Sequence, residues 1–423
     1  MPETHDAVVV GAGHNGLAAA LYLADEGLDV CVLERNDEPG GSVRSDELTR
    51  EGYVHDTHSA NQSLFLGSAL YEQFGDELRD AGLEFSQSGK PFANVYPGGD
   101  ALRVYQDAER TREEFESHSP ADAEGWETLH GEFGRFAETL APLMGKPLPS
   151  VAAGRTVLDA VRSEGPSGLL DLAQIPLSST RELGDAYFET DEAKALMACW
   201  GLHIDFGPDV SGGGMFPFLE SFTALSEGIS VASGGASAIP DALVRLIEDR
   251  GGEVRTDAEV ASVDTRDGRA TGVTLADGSE IRAREAVVAN LTPTVLYDGL
   301  VDDAALPDTF RDKVDRYDYG PGTMMLHLAL EELPDWEAGD ELSEFAYVHV
   351  APGVEELSET YTDARNGKLP ESPMLVVGQT TAVDDSRTPC DGELHWTQVR
   401  CTTPTAKKKP SAAPRAASVF RRE

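Results

Sequence analysis

Near the N-terminus, four residues have the types and the spacing to hold a phosphorylated cofactor. Gly11, Gly13 and Gly16 form G-x-G-x-x-G, and Glu34 stands at the end of the next apolar run. In such a pattern the first glycine permits a tight turn, and the second lets backbone approach a pyrophosphate. The third lets the following helix pack close to its strand. Unpaired N–H groups at the start of that helix, aided by its dipole, favour phosphate, and the carboxylate can accept from both hydroxyls of a ribose.

The flanking segments suit that chemistry. Ala7-Val8-Val9-Val10 is a short, continuous apolar run, as expected of a strand buried on both faces of a parallel sheet. Leu17 to Glu26 is Ala/Leu-rich and predicts a helix that stops at Gly27. Val30 to Leu33 predicts a second strand, with Glu34 at its tip. Strand, glycine turn, helix, strand and terminal acid thus occur in the order the motif requires.

The segment beyond Glu34 indicates which dinucleotide. Arg35 comes directly after the acid, and Pro39-Gly40-Gly41-Ser42-Val43-Arg44 comes shortly after that. The stretch resembles the FAD-binding start of the phytoene-desaturase and amine-oxidase superfamily, which reads strand, GxGxxG, helix, strand, Glu-Arg, then a Gly-Gly-Arg loop. The wording GAGHNGLAAALYLADEGLDVCVLER is closer still to the phytoene-dehydrogenase-related branch, which includes pyridine-nucleotide-disulfide-oxidoreductase-domain-2-like proteins. Ser42 stands where many members carry the loop arginine, with Arg44 two residues on.

This resemblance implies an α/β fold: a Rossmann-like FAD-binding domain, glutathione-reductase-like and discontinuous, carrying an inserted α+β substrate domain. It implies FAD as cofactor, held by Gly11, Ala12, Gly13, His14, Asn15, Gly16, Glu34, Arg35, Gly41 and Ser42. Val260 is the position whose family counterpart meets the adenine through its backbone. The expected division is 1–67 and 229–298 for the FAD-binding parts and 68–228 and 299–400 for the substrate parts, with an atypical tail at 401–423.

The rest of the chain supports that division. Residues 112–198 are helical and amphipathic, with Phe133, Phe136, Leu140 and Leu143 recurring at three- and four-residue steps. Asp241 to Asp249 predicts a helix, and Ala261 to Ile281 a hairpin with turns at Asp267-Gly268 and Asp277-Gly278. Thr323–Leu330, Phe345–Val350, Met374–Thr380 and His395–Val399 read as strands between acidic loops. His55 and His58 read as loop histidines that hydrogen-bond. His203 and Asp205 would share one face of a strand, without a nucleophile beside them. No catalytic base is named by these patterns, and no metal-ligand spacing occurs.

Composition narrows the class. The chain carries 75 acidic and 34 basic residues, net −41, spread along its length. That balance excludes a nucleic-acid partner, which needs basic patches. It suits concentrated salt, where screening over a few ångströms removes self-repulsion. A salt-adapted cytoplasmic protein is expected, since MPETHD opens no signal peptide and no apolar run approaches the roughly 20 residues of a membrane span. Peripheral membrane contact and oligomeric state stay open.

The four cysteines (Cys31, Cys199, Cys390, Cys401) make no C-x-x-C pair, which argues against a redox disulfide. A second G-x-G-x-x-G is lacking, so oxygen or a diffusible acceptor is expected to reoxidise the flavin. Residues 401–423 are basic and rich in Pro, Ala, Ser and Lys, a disorder-prone composition, and the expectation is a truncated chain. The function implied by resemblance is FAD-dependent oxidation of a small apolar, isoprenoid- or polyene-like substrate. The alternatives are a flavin amine oxidase and a non-catalytic prenyl-binding protein related to GDP-dissociation inhibitors.

Overall fold

The computed structural model describes residues 2–204, 206–389 and 392–401, without the side chains of Arg400 and Cys401. The expectations placed on Asp205, Cys390 and the tail at 402–423 therefore lie outside the described residues.

In chain order, the elements that position the site begin with β1 (Glu3–Val10), α1 (His14–Asp25), β2 (Val30–Leu33), β3 (Phe92–Tyr96) and β4 (Asp100–Val104). Helices α2 (Pro120–Thr139), α3 (Val151–Gln174), α4 (Met215–Glu227) and α5 (Ala238–Asp249) come after them. Next are β5 (Glu253–Arg255), β6 (Val260–Arg266), β7 (Arg269–Leu275) and β8 (Glu280–Ala289). The last strands are β9 (Gly322–Leu330), β10 (Tyr347–Val350), β11 (Leu375–Gly378) and β12 (Glu393–Cys401).

Two six-stranded sheets result. The first runs β6-β7-β8-β1-β2-β5, with β8, β1, β2 and β5 parallel and the β6–β7 hairpin antiparallel at one side. The second runs β9-β12-β11-β10-β3-β4 and is mostly antiparallel.

Strand β1 shows why the first sheet has two covered faces. Ala7 and Val9 point into a cluster with Leu17 and Leu21 of α1 and Leu243 of α5. Val8 and Val10 point the other way, to Cys31, Leu33, Val260, Val273 and Ile281. A β-branched residue on each side of the pleat fits this two-sided burial. The largest core packs the helices against the second sheet through Trp126, Phe136, Trp200, Phe218, Phe222 and Trp396.

Helix α1 starts at His14, earlier than the side-chain pattern suggested, because Gly13 itself takes the N-cap position. Cys199–His203 forms a 3-10 turn, so His203 does not sit on a strand face as the i, i+2 spacing suggested. The apolar run of 199–202 is fully buried, and tight turning there brings Trp200 and Leu202 into the core.

One buried ionic knot ties together segments far apart in the chain. Arg387 is completely buried; it donates to Asp56 at 2.7 Å, to Asp384 at 3.0 Å and to the Ala232 carbonyl at 2.6 Å. Asp56 accepts in turn from Ser45 Oγ and from the Ala236 amide. Segments far apart in sequence are thereby fixed around the loop that leads back toward the glycine turn.

Candidate dinucleotide and substrate cavities

Three parallel strands deliver the site from their C-terminal ends. The Gly11 amide donates to Leu33 O at 2.8 Å, the Asn290 amide to Val10 O at 2.9 Å, and the Glu34 amide to Arg255 O at 2.8 Å. The turn after β1 is thus held between the tips of β2 and β8, where ligands of open α/β sheets bind.

Gly11 has φ +95°, a left-handed conformation that side-chain-bearing residues rarely adopt. At Gly16 an added Cβ would lie 2.2 Å from Gly11 O, so only glycine lets α1 sit this close to the turn. An added Cβ at Gly13 would meet Asn290 Oδ1 at 2.7 Å. No side chain caps α1, and its first turn holds no acid. Its leading amides are left for an anion.

Glu34 is buried, and its carboxylate pins the turn. Oε2 accepts from the Ala12 amide at 2.9 Å, and Oε1 accepts from the Asn36 backbone at 3.0 Å and side chain at 2.6 Å. Three of the roughly four acceptor sites of the carboxylate are thereby used, and the one left on Oε2 is free for a ribose hydroxyl.

Gly11, Gly13, His14, Asn15, Glu34, Arg35, Gly41, Ser42 and Val260 all line one cavity of about 590 Å³. Ala12 and Gly16 lie beneath it, Ala12 through its bond to Glu34 and Gly16 through its contact with the turn. Arg44 lines neither this cavity nor the next. Asn36, Asn290, Leu291 and Thr292 also line it; the resemblance already implies that the Ala289-Asn290 end approaches the dinucleotide, and Asn36, Leu291 and Thr292 join it just beyond strand tips. Glycine turn, uncapped helix start and tip carboxylate together fit the adenosine diphosphate half of FAD.

A second cavity of about 600 Å³ shares His14, Asn15 and Ser42 with the first. Its walls are mainly apolar, with Leu64, Phe65, Trp200, Phe216, Ile239 and Trp396 contributing. Burial lowers the pKa of His14, and burial together with nearby Arg44 lowers that of His58, so both present neutral imidazoles to the cavity near pH 7. His55 shares a hydrogen bond with Thr49 Oγ1 at 2.7 Å and does not line the cavity. Its pKa falls to about 4 through burial, then through His327 and Arg387.

Glu220 is the one carboxyl among the residues lining this second cavity, and sequence reasoning missed it. It lies on α4 and is buried, and Asn61 Nδ2 donates to its Oε2 at 3.1 Å. Burial pushes its pKa up to about 7, with the Asn61 bond opposing. Tyr347, whose phenol is raised by burial and then by the Glu220 carboxylate, lines the cavity with it, as does His203, whose Nε2 lies 2.9 Å from Nε2 of the buried His349. A lone glutamate inside an amphipathic helix carries no signal of this role, because only the tertiary packing around α4, Asn61 included, buries it.

The family model described as flavin containing amine oxidoreductase matches residues 16–388. The chain is 26% identical to pyridine nucleotide-disulfide oxidoreductase domain-containing protein 2 of Mus musculus, over 92% of this chain and 72% of that protein. It is 31% identical to the neurosporene-forming phytoene desaturase of Rhodobacter capsulatus, over 67% of this chain and 52% of the desaturase. Among solved structures, an oxidoreductase from Methanosarcina mazei superposes with a TM-score of 0.59 at 18% identity, covering 94% of this chain and 79% of that one.

Proposed function

The chain belongs to the flavin-containing amine oxidoreductase family and is an FAD-dependent oxidoreductase of the phytoene-desaturase-like kind; we propose that it dehydrogenates an apolar, isoprenoid- or polyene-like substrate. One observation carries this reading: a largely apolar cavity of about 600 Å³ shares a wall with the cavity around the glycine turn. A substrate in the first would thereby adjoin a cofactor anchored in the second.

In this reading the amides of Gly13, His14 and Asn15 hold the pyrophosphate, Glu34 the ribose and the Val260 backbone the adenine, with Arg35, Gly41 and Ser42 closing the cradle. Segments 1–67 and 229–298 serve the cofactor, and 68–228 and 299–400 the substrate. The bound flavin supplies a hydride acceptor, and the protein orients it and keeps water away. Apolar walls exclude water from the reacting carbon, while neutral His14 and His58 add no charge there. Glu220, poised near neutrality and without a cation among the lining residues, is the group best suited to receive a proton. The acid excess supports adaptation to concentrated salt, and a melting temperature that fails to rise from dilute to molar KCl would count against it.

The test is anaerobic. Purified protein in high salt should show flavin absorbance, release FAD on denaturation, and be bleached by phytoene in detergent but not by aliphatic amines. Bleaching by amines alone would move the assignment to amine oxidation. Folded protein that binds prenyl chains yet takes up no FAD would support the prenyl-carrier reading instead.

A further inference from the structure

The second cavity has two unlike ends. One is lined by Leu70, Ile239 and Leu243, which belong to the core packed against α1. Trp200, Tyr347 and Trp396 line the other and belong to the core packed on the second sheet. Rings crowd this second end: the Tyr347 centroid lies 5.5 Å from that of Trp396 and 5.4 Å from that of His203.

Two further side chains make the aromatic end polar. Glu220 reaches it from α4 and Gln398 from β12, and they are only 4% and 8% exposed. Each spends one atom on the protein: Glu220 Oε2 accepts from Asn61 Nδ2, and Gln398 Nε2 donates to the Leu202 carbonyl. Glu220 Oε1 and Gln398 Oε1 accept from no described residue, yet neither is sealed inside the protein. The cavity that both residues line is where these two oxygens open.

That pair of acceptors discriminates between ligands. A hydrocarbon at this end would strip both oxygens of water and return nothing, at a loss of roughly tenfold in affinity for each. An ammonium group would bring three donors to two acceptors, with Glu220 the one carboxyl on the wall to balance its charge. A hydroxyl matches the pair. Its O–H donates to one oxygen, and its own oxygen accepts from the Glu220 carboxyl, which burial keeps protonated up to about pH 7.

We propose that the cavity takes an isoprenoid alcohol, its hydroxyl held between Glu220 and Gln398 and its chain lying along the apolar remainder of the wall. This rests on the apolar-substrate reading and narrows it. The carbons beside the hydroxyl are then the ones nearest Glu220, the group assigned above to receive a proton.

The experiment compares farnesol with farnesyl methyl ether, the same chain without the O–H. Binding of each to the full chain, purified with its flavin in molar KCl, is followed by tryptophan fluorescence, since Trp200 and Trp396 line the cavity. Wild type should bind farnesol at least about tenfold more tightly than the ether. The Glu220→Met/Gln398→Met variant should bind the two alike and hold the ether no more weakly than wild type does. General damage to the cavity would instead weaken both ligands, and thermal melts check that the variant folds.

Equal affinities in wild type overturn the proposal, as does a chain that binds neither ligand. So does an alcohol preference that survives in the double variant, or tighter binding of farnesylamine than of farnesol, which would make the end an ammonium site. Phytoene bleaching the flavin of a protein that binds alcohol and ether alike would defeat this inference alone. An alcohol preference in a protein whose flavin neither phytoene nor farnesol bleaches would defeat the dehydrogenase reading alone.

Discussion

Replacing Glu220 by glutamine keeps its shape and its bond from Asn61 while removing the ionisable group. Burial raises the carboxyl from 4.5 to about 7. A raised acid holds its proton longer in the folded state than in the unfolded chain. Below pH 4.5 both states are protonated and the group costs nothing through ionisation. As pH climbs from 4.5 to 7 the unfolded chain ionises first, so stability falls, and above 7 the loss levels off. At about 1.4 kcal/mol per pKa unit the full cost is about 3 kcal/mol, with roughly 2.5 kcal/mol of it appearing between pH 5 and pH 8. The Glu220→Gln variant should therefore lead wild type by less than about 1 kcal/mol at pH 5 and by the full cost of about 3 kcal/mol at pH 8. For a chain of 423 residues this corresponds to about 3–4 °C in Tm. Urea titrations of both proteins at pH 5, 6, 7 and 8 in constant KCl measure it, and taking the difference cancels the titration of every other acid. A difference that stays flat across this range would refute the claim that Glu220 is buried without a compensating charge.

Four further outcomes are expected. Gly16→Ala should cost about 1–3 kcal/mol by overpacking against the Gly11 carbonyl and should lower the flavin-to-protein absorbance ratio. Gly131→Ala, in the exposed part of α2 with nothing near its Cβ, should instead gain about 0.5–1 kcal/mol with FAD uptake unchanged. Arg387→Met strands Asp56 and Asp384 in the interior and should cost about 3–5 kcal/mol in urea unfolding, most of it recovered when both acids become asparagine in the same chain. Glu34→Gln removes a carboxylate that already serves Ala12 and Asn36, and the apparent Kd for FAD should rise at least about tenfold by flavin fluorescence titration.

How much of this was visible in the sequence depends on the range of the contacts. The glycine turn, α1, the two flanking strands and the acid at the tip of β2 lie within one stretch of about 30 residues, as a βαβ unit must. Their periodicities and turn types are properties of neighbouring residues, and the resemblance in that stretch carried the cofactor. The start of α1 was misplaced by three residues because the turn, and not side-chain pattern, decides where the first amide points. His203 was misread for a related reason: two residues on one strand face and a tight 3-10 turn look alike over five positions.

The sequence by itself thus determined the fold class and the cofactor anchor, because strand, turn and helix preferences are local and the phosphate cradle is made of backbone. Only the tertiary structure decided that Asn61 and Glu220, 159 positions apart, meet at one cavity, and that Arg387 closes on Asp56 across 331 positions. It alone also decided that Gln398 of β12 lines the same cavity as Glu220 of α4. Burial, and the shifted acidity and exposed patches that come with it, is a property of what packs against a residue, and a linear order of side chains does not specify that neighbour.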